Sequence, residues 1–309
     1  MNNLENAATA VACDSGYAAL KAHLIAVTGL AYYRDRDDDL ADVIGRRLTG
    51  LGLRDCRAYL DFLLEDQARD AELDGLVAQL TIGETYFFRD PQQFHAIRTI
   101  IIPDILDRKR DARQLRIWSA GCATGAEPYS LAILLGREMA HRIAGWHISI
   151  LATDINRRFL AEAAEGRFQE WAFRATRPEL RQECFSFDAQ GWKVLPDHRQ
   201  WIKFDHCNLV DRDFPSRRDE IAEFDLILCR NVMIYFDHET RQRLIRQFHA
   251  SLARGGWFLV GAAEPNLESF TDFEQVDAAG TTIYRRTEKS GLSHATGAEP
   301  VGLAAWPPL

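Results

Sequence analysis

The chain has 309 residues, 47% of them hydrophobic and 27% charged, which is enough for a sizeable core and for two domains of a globular protein. Its formal net charge of −8 argues against a general affinity for nucleic acid or anionic membrane. The six cysteines (Cys13, Cys56, Cys122, Cys184, Cys207, Cys229) form no Cys-x-x-Cys pair, as expected of a reduced, cytoplasmic chain. The N-terminus lacks the basic and apolar stretches of a secretory signal. The apolar run at Ile100-Ile101-Ile102 stops at Pro103, far short of a membrane span.

Residues 1–15 are predicted to be flexible, and residues 16–84 to form a helical domain. Leu40, Val43, Ile44 and Leu48 recur at helical spacing, as do Cys56, Tyr59, Leu60, Leu63 and Leu64, and then Leu73, Leu76, Val77 and Leu80. Gly50 and Gly52 end one helix, and Asp55 is placed to cap the next. Arg34, Arg36, Arg46 and Arg47 are interleaved with Asp35, Asp37, Asp38 and Asp39, which predicts a solvated face of mixed charge.

Thr81 to Pro91 breaks the helical rhythm and sets three aromatics beside Arg89. An arginine braced by Phe87 and Phe88 can present its fork to a carboxylate. The alternative is a linker whose aromatics pin two domains together. Phe94 then begins an amphipathic helix running to about Arg110.

Leu115 to Ser119 has the pattern of a buried strand. A turn containing Gly121 and Gly125 follows, and a helix opens near Glu127 with Pro128 in its first turn. Strand, tight turn and helix form the opening unit of a nucleotide-type α/β sheet, with the ligand beyond the carboxyl end of the strand. The turn has neither the Gly-x-Gly-x-x-Gly fingerprint nor the Lys-Ser/Thr of a phosphate loop. His147 to Thr153 predicts a second strand ending at Asp154, where such folds hold a ribose diol. A helix spans Asn156 to Gly166. Residues 167–204 are predicted to be an inserted short helix and antiparallel ribbon. Asn208 and Leu209 end another strand, and Phe224 to Cys229 is a fully buried strand ending at Arg230-Asn231. A helix over His238 to Ala253 is stopped by Gly255-Gly256, and Trp257 to Gly261 and Thr281 to Arg285 close the sheet. The stretch from Glu288 is predicted to be a disordered tail. The histidines show no metal-ligand spacing, the adjacent His206 and Cys207 point to opposite faces of a strand, and no Gly-x-Ser-x-Gly elbow exists.

Four segments together resemble the CheR family of chemoreceptor glutamate methyltransferases. They are Thr-x-x-x-Thr-x-Phe-Phe-Arg at 81–89, Trp-Ser-Ala-Gly-Cys-Ala-Thr-Gly-Ala-Glu-Pro-Tyr-Ser at 118–130, Ala-Thr-Asp-Ile at 152–155 and Cys-Arg-Asn-Val-Met-Ile-Tyr-Phe at 229–236. The resemblance implies an all-α domain followed by an α/β, Rossmann-like class I S-adenosylmethionine methyltransferase domain over 85–287. The antiparallel β-subdomain is inserted at 167–204, and 288–309 is left as a tail. It implies S-adenosylmethionine as cofactor, S-adenosylhomocysteine as product and no metal. The implied partner is the cytoplasmic helical region of a chemoreceptor, with no nucleic acid and no membrane insertion, and a monomer is expected.

By the same resemblance, Thr85 and Arg89 line the cofactor and acceptor site, and Gly121 and Glu127 meet the cofactor from the turn. Asp154 takes the ribose hydroxyls, Asn208 and Leu209 flank the adenine, Arg230 and Asn231 complete the cleft, and Tyr235 faces the transferred methyl group. Arg89 and Tyr235 are the implied catalytic pair. The chain departs from the family pattern at Gly83 (often asparagine), at Gly261-Ala-Ala-Glu264 (often Gly-His-Ser-Glu), at the acidic run Asp37 to Asp39, and in the short ribbon around Asp188 to Lys193. A glutamate has a reference pKa of about 4.3, so the acceptor is already a carboxylate and needs no general base. Two other functions stay open from the sequence: a cofactor-binding regulatory module without efficient turnover, and a methyltransferase for another substrate class.

Overall fold

The computed structural model describes residues 9–65, 69–216, 221–262, 264, 270–278 and 280–287. The predicted tail from Glu288 and the first eight residues of the stretch predicted to be flexible (1–15) lie outside them; residues 9–12 of that stretch are helical instead, with Val11 and Ala12 packed on the helical core.

The helical region comprises α1 (Tyr17–Thr28), a 3-10 turn (Ala31–Asp35), α2 (Asp37–Leu51), α3 (Cys56–Leu64) and α4 (Arg69–Leu80). Its core takes in most of the predicted stripes, with Leu40, Ile44, Tyr59, Leu63 and Leu76 buried, and adds Leu20 and Leu24 of α1; Leu64, expected on the second stripe, is exposed because α3 ends there. Asp55 caps α3 by accepting from the Ala58 N–H at 2.7 Å. Gly52 ends α2 in the left-handed region, and Gly50 stays inside the helix. The four arginines are all paired within the molecule: Arg34 with Asp237, Arg36 with Asp39, Arg46 with Asp42 and Arg47 with the buried Glu72. The face is therefore neutralised locally, as its mixed charge predicts.

Helix α5 (Pro91–Ala96) runs through a π turn (Ile97–Ile101) into α6 (Ile102–Arg108). Pro103 has no N–H and crowds the preceding turn, and the π turn just before it lets the helix continue.

The main sheet has the order β6-β2-β1-β7-β8-β10-β9. Its strands are β1 (Gln114–Ala120), β2 (His147–Asp154), β6 (Ile202–His206), β7 (Phe224–Cys229), β8 (Leu252–Val260), β9 (Phe273–Ala278) and β10 (Thr281–Arg286). The first five run parallel, and β10 and β9 are antiparallel additions. Helices α7 (Ala126–Glu138), α8 (Arg157–Glu165) and α10 (His238–Ser251) connect them. The chain leaves β1 toward β2 on one side and returns as β7 on the other. This reversal opens a crevice at the carboxyl ends of β1, β2 and β7. A separate three-stranded antiparallel sheet, β3 (Arg167–Phe168), β5 (Gly191–Val194) and β4 (Phe185–Asp188), is inserted after α8 together with the short α9 (Pro178–Cys184).

Three sequence expectations change. Residues 202–204, expected in the inserted ribbon, belong to β6 and pair in parallel with β2, because alternating apolar residues suit either sheet. Helix α10 ends at Ser251, since Leu252 already pairs with Phe224, and the glycines fall in a bulge where the register jumps to Leu226–Trp257. Strand β9 went unrecognised because only its end residues Phe273 and Ala278 are buried. Among the described residues no helix is long and apolar enough to cross a membrane.

Candidate functional site

A cleft of about 290 Å³ opens at the carboxyl ends of β1, β2 and β7. Thr85, Arg89, Gly121, Glu127, Asp154, Asn208, Leu209, Arg230, Asn231 and Tyr235 all line it. Residues separated by up to 150 positions thus meet in one place.

The floor is the β1–α7 turn. Gly121 has φ +79°, and a Cβ there would lie 2.3 Å from Val232 Cγ2, so conformation and space both require glycine. The Gly121 and Cys122 N–H groups donate to the Thr153 carbonyl at 2.7 and 2.9 Å. The Ala123 N–H donates to Asp154 Oδ2 at 2.9 Å, and Asp154 Oδ1 accepts from the Asn156 N–H at 2.8 Å. Burial pushes the Asp154 carboxyl above the ordinary aspartate value, and the backbone donors partly offset the rise.

Arg230, at the end of β7, is nearly inaccessible. Its guanidinium donates to Glu127 Oε2 at 2.9 Å, to Asp90 Oδ2 at 2.6 Å and to the Arg89 carbonyl at 2.6 Å. The other Glu127 oxygen accepts from Ser119 Oγ at 2.7 Å. Arg230 therefore acts as a strut joining α7 to the segment that precedes α5.

That segment, Thr81 to Asp90, straps across the cleft. The sequence expectation that Phe87 and Phe88 brace Arg89 is corrected. Phe87 is buried against Phe168, Phe173 and Phe185, and Phe88 packs on Phe94, so these two pin the strap to the inserted sheet and to α5. The chain turns at Phe87-Phe88, with Phe88 at φ +55°, which sends the two rings to different sides, and the aromatic beside Arg89 is Tyr86, with the guanidinium carbon 5.7 Å from its ring centre. Arg89 Nη1 also donates to the Glu84 carbonyl at 2.8 Å.

Tyr235 closes the opposite rim from the 3-10 turn Met233–Tyr235. Burial and the neighbouring Tyr32 raise its hydroxyl pKa, so at neutral pH the hydroxyl is a protonated donor. Tyr32 meets the Tyr235 ring edge to face at 5.6 Å, a contact supplied by the helical region. Strand β6 stops at His206, so Asn208 and Leu209 lie in the loop just beyond it and do not end the strand as expected; Asn208 donates its side-chain N–H to the Val27 carbonyl at 2.8 Å, tying that loop to α1.

Glu264 is a positioning residue that the sequence patterns do not assign. Its Oε1 accepts from the Val232 and Met233 N–H groups, both at 2.7 Å, and its Oε2 accepts from the Gly261 N–H. It clamps the loop bearing Asn231, whose φ is +59°, to the end of β8. Burial raises its pKa. We expect Glu264→Gln to turn an amide N–H toward backbone donors and cost about 1–3 kcal/mol. Thermal unfolding measures that loss, and an unchanged melting temperature would remove the clamp role. Only the fold brings Glu264, Tyr32 and Asp90 to the site.

Residues 83–282 match the family described as CheR methyltransferase, SAM binding domain. The chain is 33% identical over 229 residues to the chemotaxis protein methyltransferase of Borreliella burgdorferi, covering 72% of this chain and 79% of that one. It is 33% identical over 251 residues to the probable chemotaxis protein methyltransferase of Rhizobium etli, covering 80% and 90%. It is 32% identical over 217 residues to chemotaxis protein methyltransferase 1 of Pseudomonas aeruginosa, covering 68% and 76%. With its Rossmann-like sheet, preceding helices and inserted antiparallel sheet, the chain belongs to the CheR family of S-adenosylmethionine-dependent methyltransferases.

Proposed function

We propose that this chain transfers a methyl group from S-adenosylmethionine to glutamate carboxylates in the cytoplasmic helical region of a chemoreceptor, giving glutamyl methyl esters and S-adenosylhomocysteine. The observation that carries this reading is the convergence of Asp154, Glu127, Arg89 and Tyr235 on one cleft.

The residues suit an adenosyl amino acid. Asp154 offers a buried carboxylate for a diol. Leu209 and Ile155 offer apolar surface for a base. Glu127 faces the cleft, and Asn231 has a buried side-chain oxygen that no described residue satisfies, which fits an ammonium group. When bound, S-adenosylmethionine supplies an electrophilic methyl group on a sulfonium.

The acceptor glutamate is already ionised at neutral pH, so the protein need not remove a proton. Its work is to align the carboxylate and exclude water. Arg89, held between the Glu84 carbonyl and the Tyr86 ring, orients the carboxylate with its remaining N–H groups. Tyr235 donates its hydroxyl to the same carboxylate and keeps the approach in line. Thr85, Gly121, Asn208 and Arg230 shape the cofactor cleft around these groups.

The test is methyl transfer to a receptor cytoplasmic fragment, read as methanol released at alkaline pH, since esters hydrolyse and N-methyl products do not. We expect Tyr235→Phe to lower kcat by roughly tenfold or more and Arg89→Ala by on the order of a hundredfold. The Tyr235→Phe change should leave S-adenosylhomocysteine affinity within about twofold. Cofactor binding without base-labile product would instead make the chain a cofactor-binding regulatory module.

A further inference from the structure

Gly83 lies in the strap without a left-handed backbone, so no turn demands glycine there. Space does. A Cβ at position 83 would lie 2.5 Å from Phe159 Cζ and 2.8 and 3.0 Å from the adjacent ring carbons. The tip of the Phe159 ring thus occupies the place where a side chain of residue 83 would begin.

Phe159 stands in the first turn of α8, whose buried stripe is Leu160 and Ala163. Its neighbours Arg157 and Arg158 and the following Glu162 are exposed and charged, whereas Phe159 is half-buried and lines the cleft next to Asp154 and Ile155. One polar contact ties the strap to the start of α8, and another ties α8 to the helix that precedes the strap. Asn156 Nδ2 donates to Thr81 Oγ1 at 2.7 Å, and Arg157 pairs with Asp74 of α4 at 3.1 Å. An apolar ring that spans two tethered elements, abuts a bare backbone and keeps part of its surface on the cleft is a wall of the cleft. A solvated position in the first turn would not call for a phenylalanine.

We propose that Phe159 is a cofactor-contacting residue, its ring forming the wall against which the adenosyl end of S-adenosylmethionine packs, and that Gly83 is glycine to admit that ring. The inference rests on the cofactor reading given under Proposed function. It assigns to α8 a contact with the adenosyl end that the strap, bare at position 83, does not supply.

Calorimetric titration of S-adenosylhomocysteine and of 5′-methylthioadenosine, which keeps only the adenosyl end, tests the inference on the full chain. Phe159→Ala is expected to weaken both ligands by about tenfold, the scale of a lost aromatic contact. Phe159→Leu, which retains bulk and protects the fold, should weaken both by a smaller factor. Gly83→Ala displaces the ring and should weaken both as well. In the Phe159→Ala background Gly83→Ala should have no further effect, a non-additivity that independent structural defects would not produce. Absence of binding to the unaltered chain would defeat the cofactor reading and this inference with it. If the unaltered chain binds and Phe159→Ala stays within twofold for 5′-methylthioadenosine, the inference alone is overturned. Additive losses in the double variant overturn it too.

Discussion

Replacing Arg230 by methionine is expected to lower the melting temperature by on the order of 10 °C and to abolish S-adenosylhomocysteine binding. The guanidinium, itself almost inaccessible, holds the largely buried Glu127 and the partly exposed Asp90 at 2.9 and 2.6 Å. Methionine fills much of the volume but leaves two carboxylates facing an apolar stem, and removing one partner of such a buried network costs about 3–5 kcal/mol. Local geometry adds to the loss. Phe88 and Asp90 have φ of +55° and +60°, a conformation that disfavours side chains, and the bonds from Arg230 to Asp90 and to the Arg89 carbonyl hold that strained end of the strap. Without them Arg89 loses its station over the cleft. Arg230→Lys is the informative control. It keeps the charge, but a compact ammonium cannot serve acceptors on three sides as a planar fork does, so stability should recover in part and binding should not. Thermal unfolding and calorimetry on both variants decide this. If Arg230→Met keeps the parent melting temperature, the strut reading is wrong.

Asp154→Asn is expected to weaken S-adenosylhomocysteine by about a hundredfold. Each hydrogen bond to a charged group contributes about 1.5–3 kcal/mol, and the amide would also turn a donor toward the Ala123 or Asn156 N–H that the carboxylate now accepts. The unaltered chain should show the same dependence as a pH effect. Burial raises the Asp154 pKa above the ordinary 3.8, so on acidification the carboxylate is lost earlier than in an exposed aspartate and affinity falls through that raised value. The stability contribution of this group has the opposite sign. With a folded pKa above the unfolded one, the folded state binds the proton more tightly. Ionisation of Asp154 therefore costs stability as the pH rises from the unfolded to the folded pKa. Affinity lost on acidification is consequently not the unfolding of the chain by this group. A pH series of dissociation constants for the parent and Asp154→Asn checks it: the parent curve should bend and the variant curve should be flat. Matching slopes would assign the pH effect to another residue.

The helices and strands that were legible in the sequence are those whose signal is local. The stripe Leu40, Val43, Ile44 and Leu48 forms one face of α2 because helix periodicity puts it there. The buried run Phe224 to Cys229 is the strand β7 covered on both sides. Strand β9 was invisible because a sheet-edge strand buries little and its inner residues read as polar. Residues 202–204 were misplaced because an alternating pattern names a strand without naming the sheet it joins.

The site divides in the same way. Gly121, Glu127 and Asp154 follow from a strand, a tight turn and the tip of the next strand, a geometry set within a few residues, and the sequence alone places them at one end of a sheet. Partner choice is another matter. Arg230 reaches Asp90 across 140 positions, Asn208 reaches Val27 across 181, and Tyr32 meets Tyr235 from a separate bundle. Arg89 turned to Tyr86 because Phe87 and Phe88 were drawn into apolar cores on either side. The sequence, through its patterns and its family resemblance, determined the class of fold and ten of the residues that line the cleft, but not Phe159. The tertiary structure alone decided which of them are committed to one another and which are left to meet a ligand. Hydrogen bonds and ring contacts act over a few ångströms, and only the completed packing brings distant segments within that range.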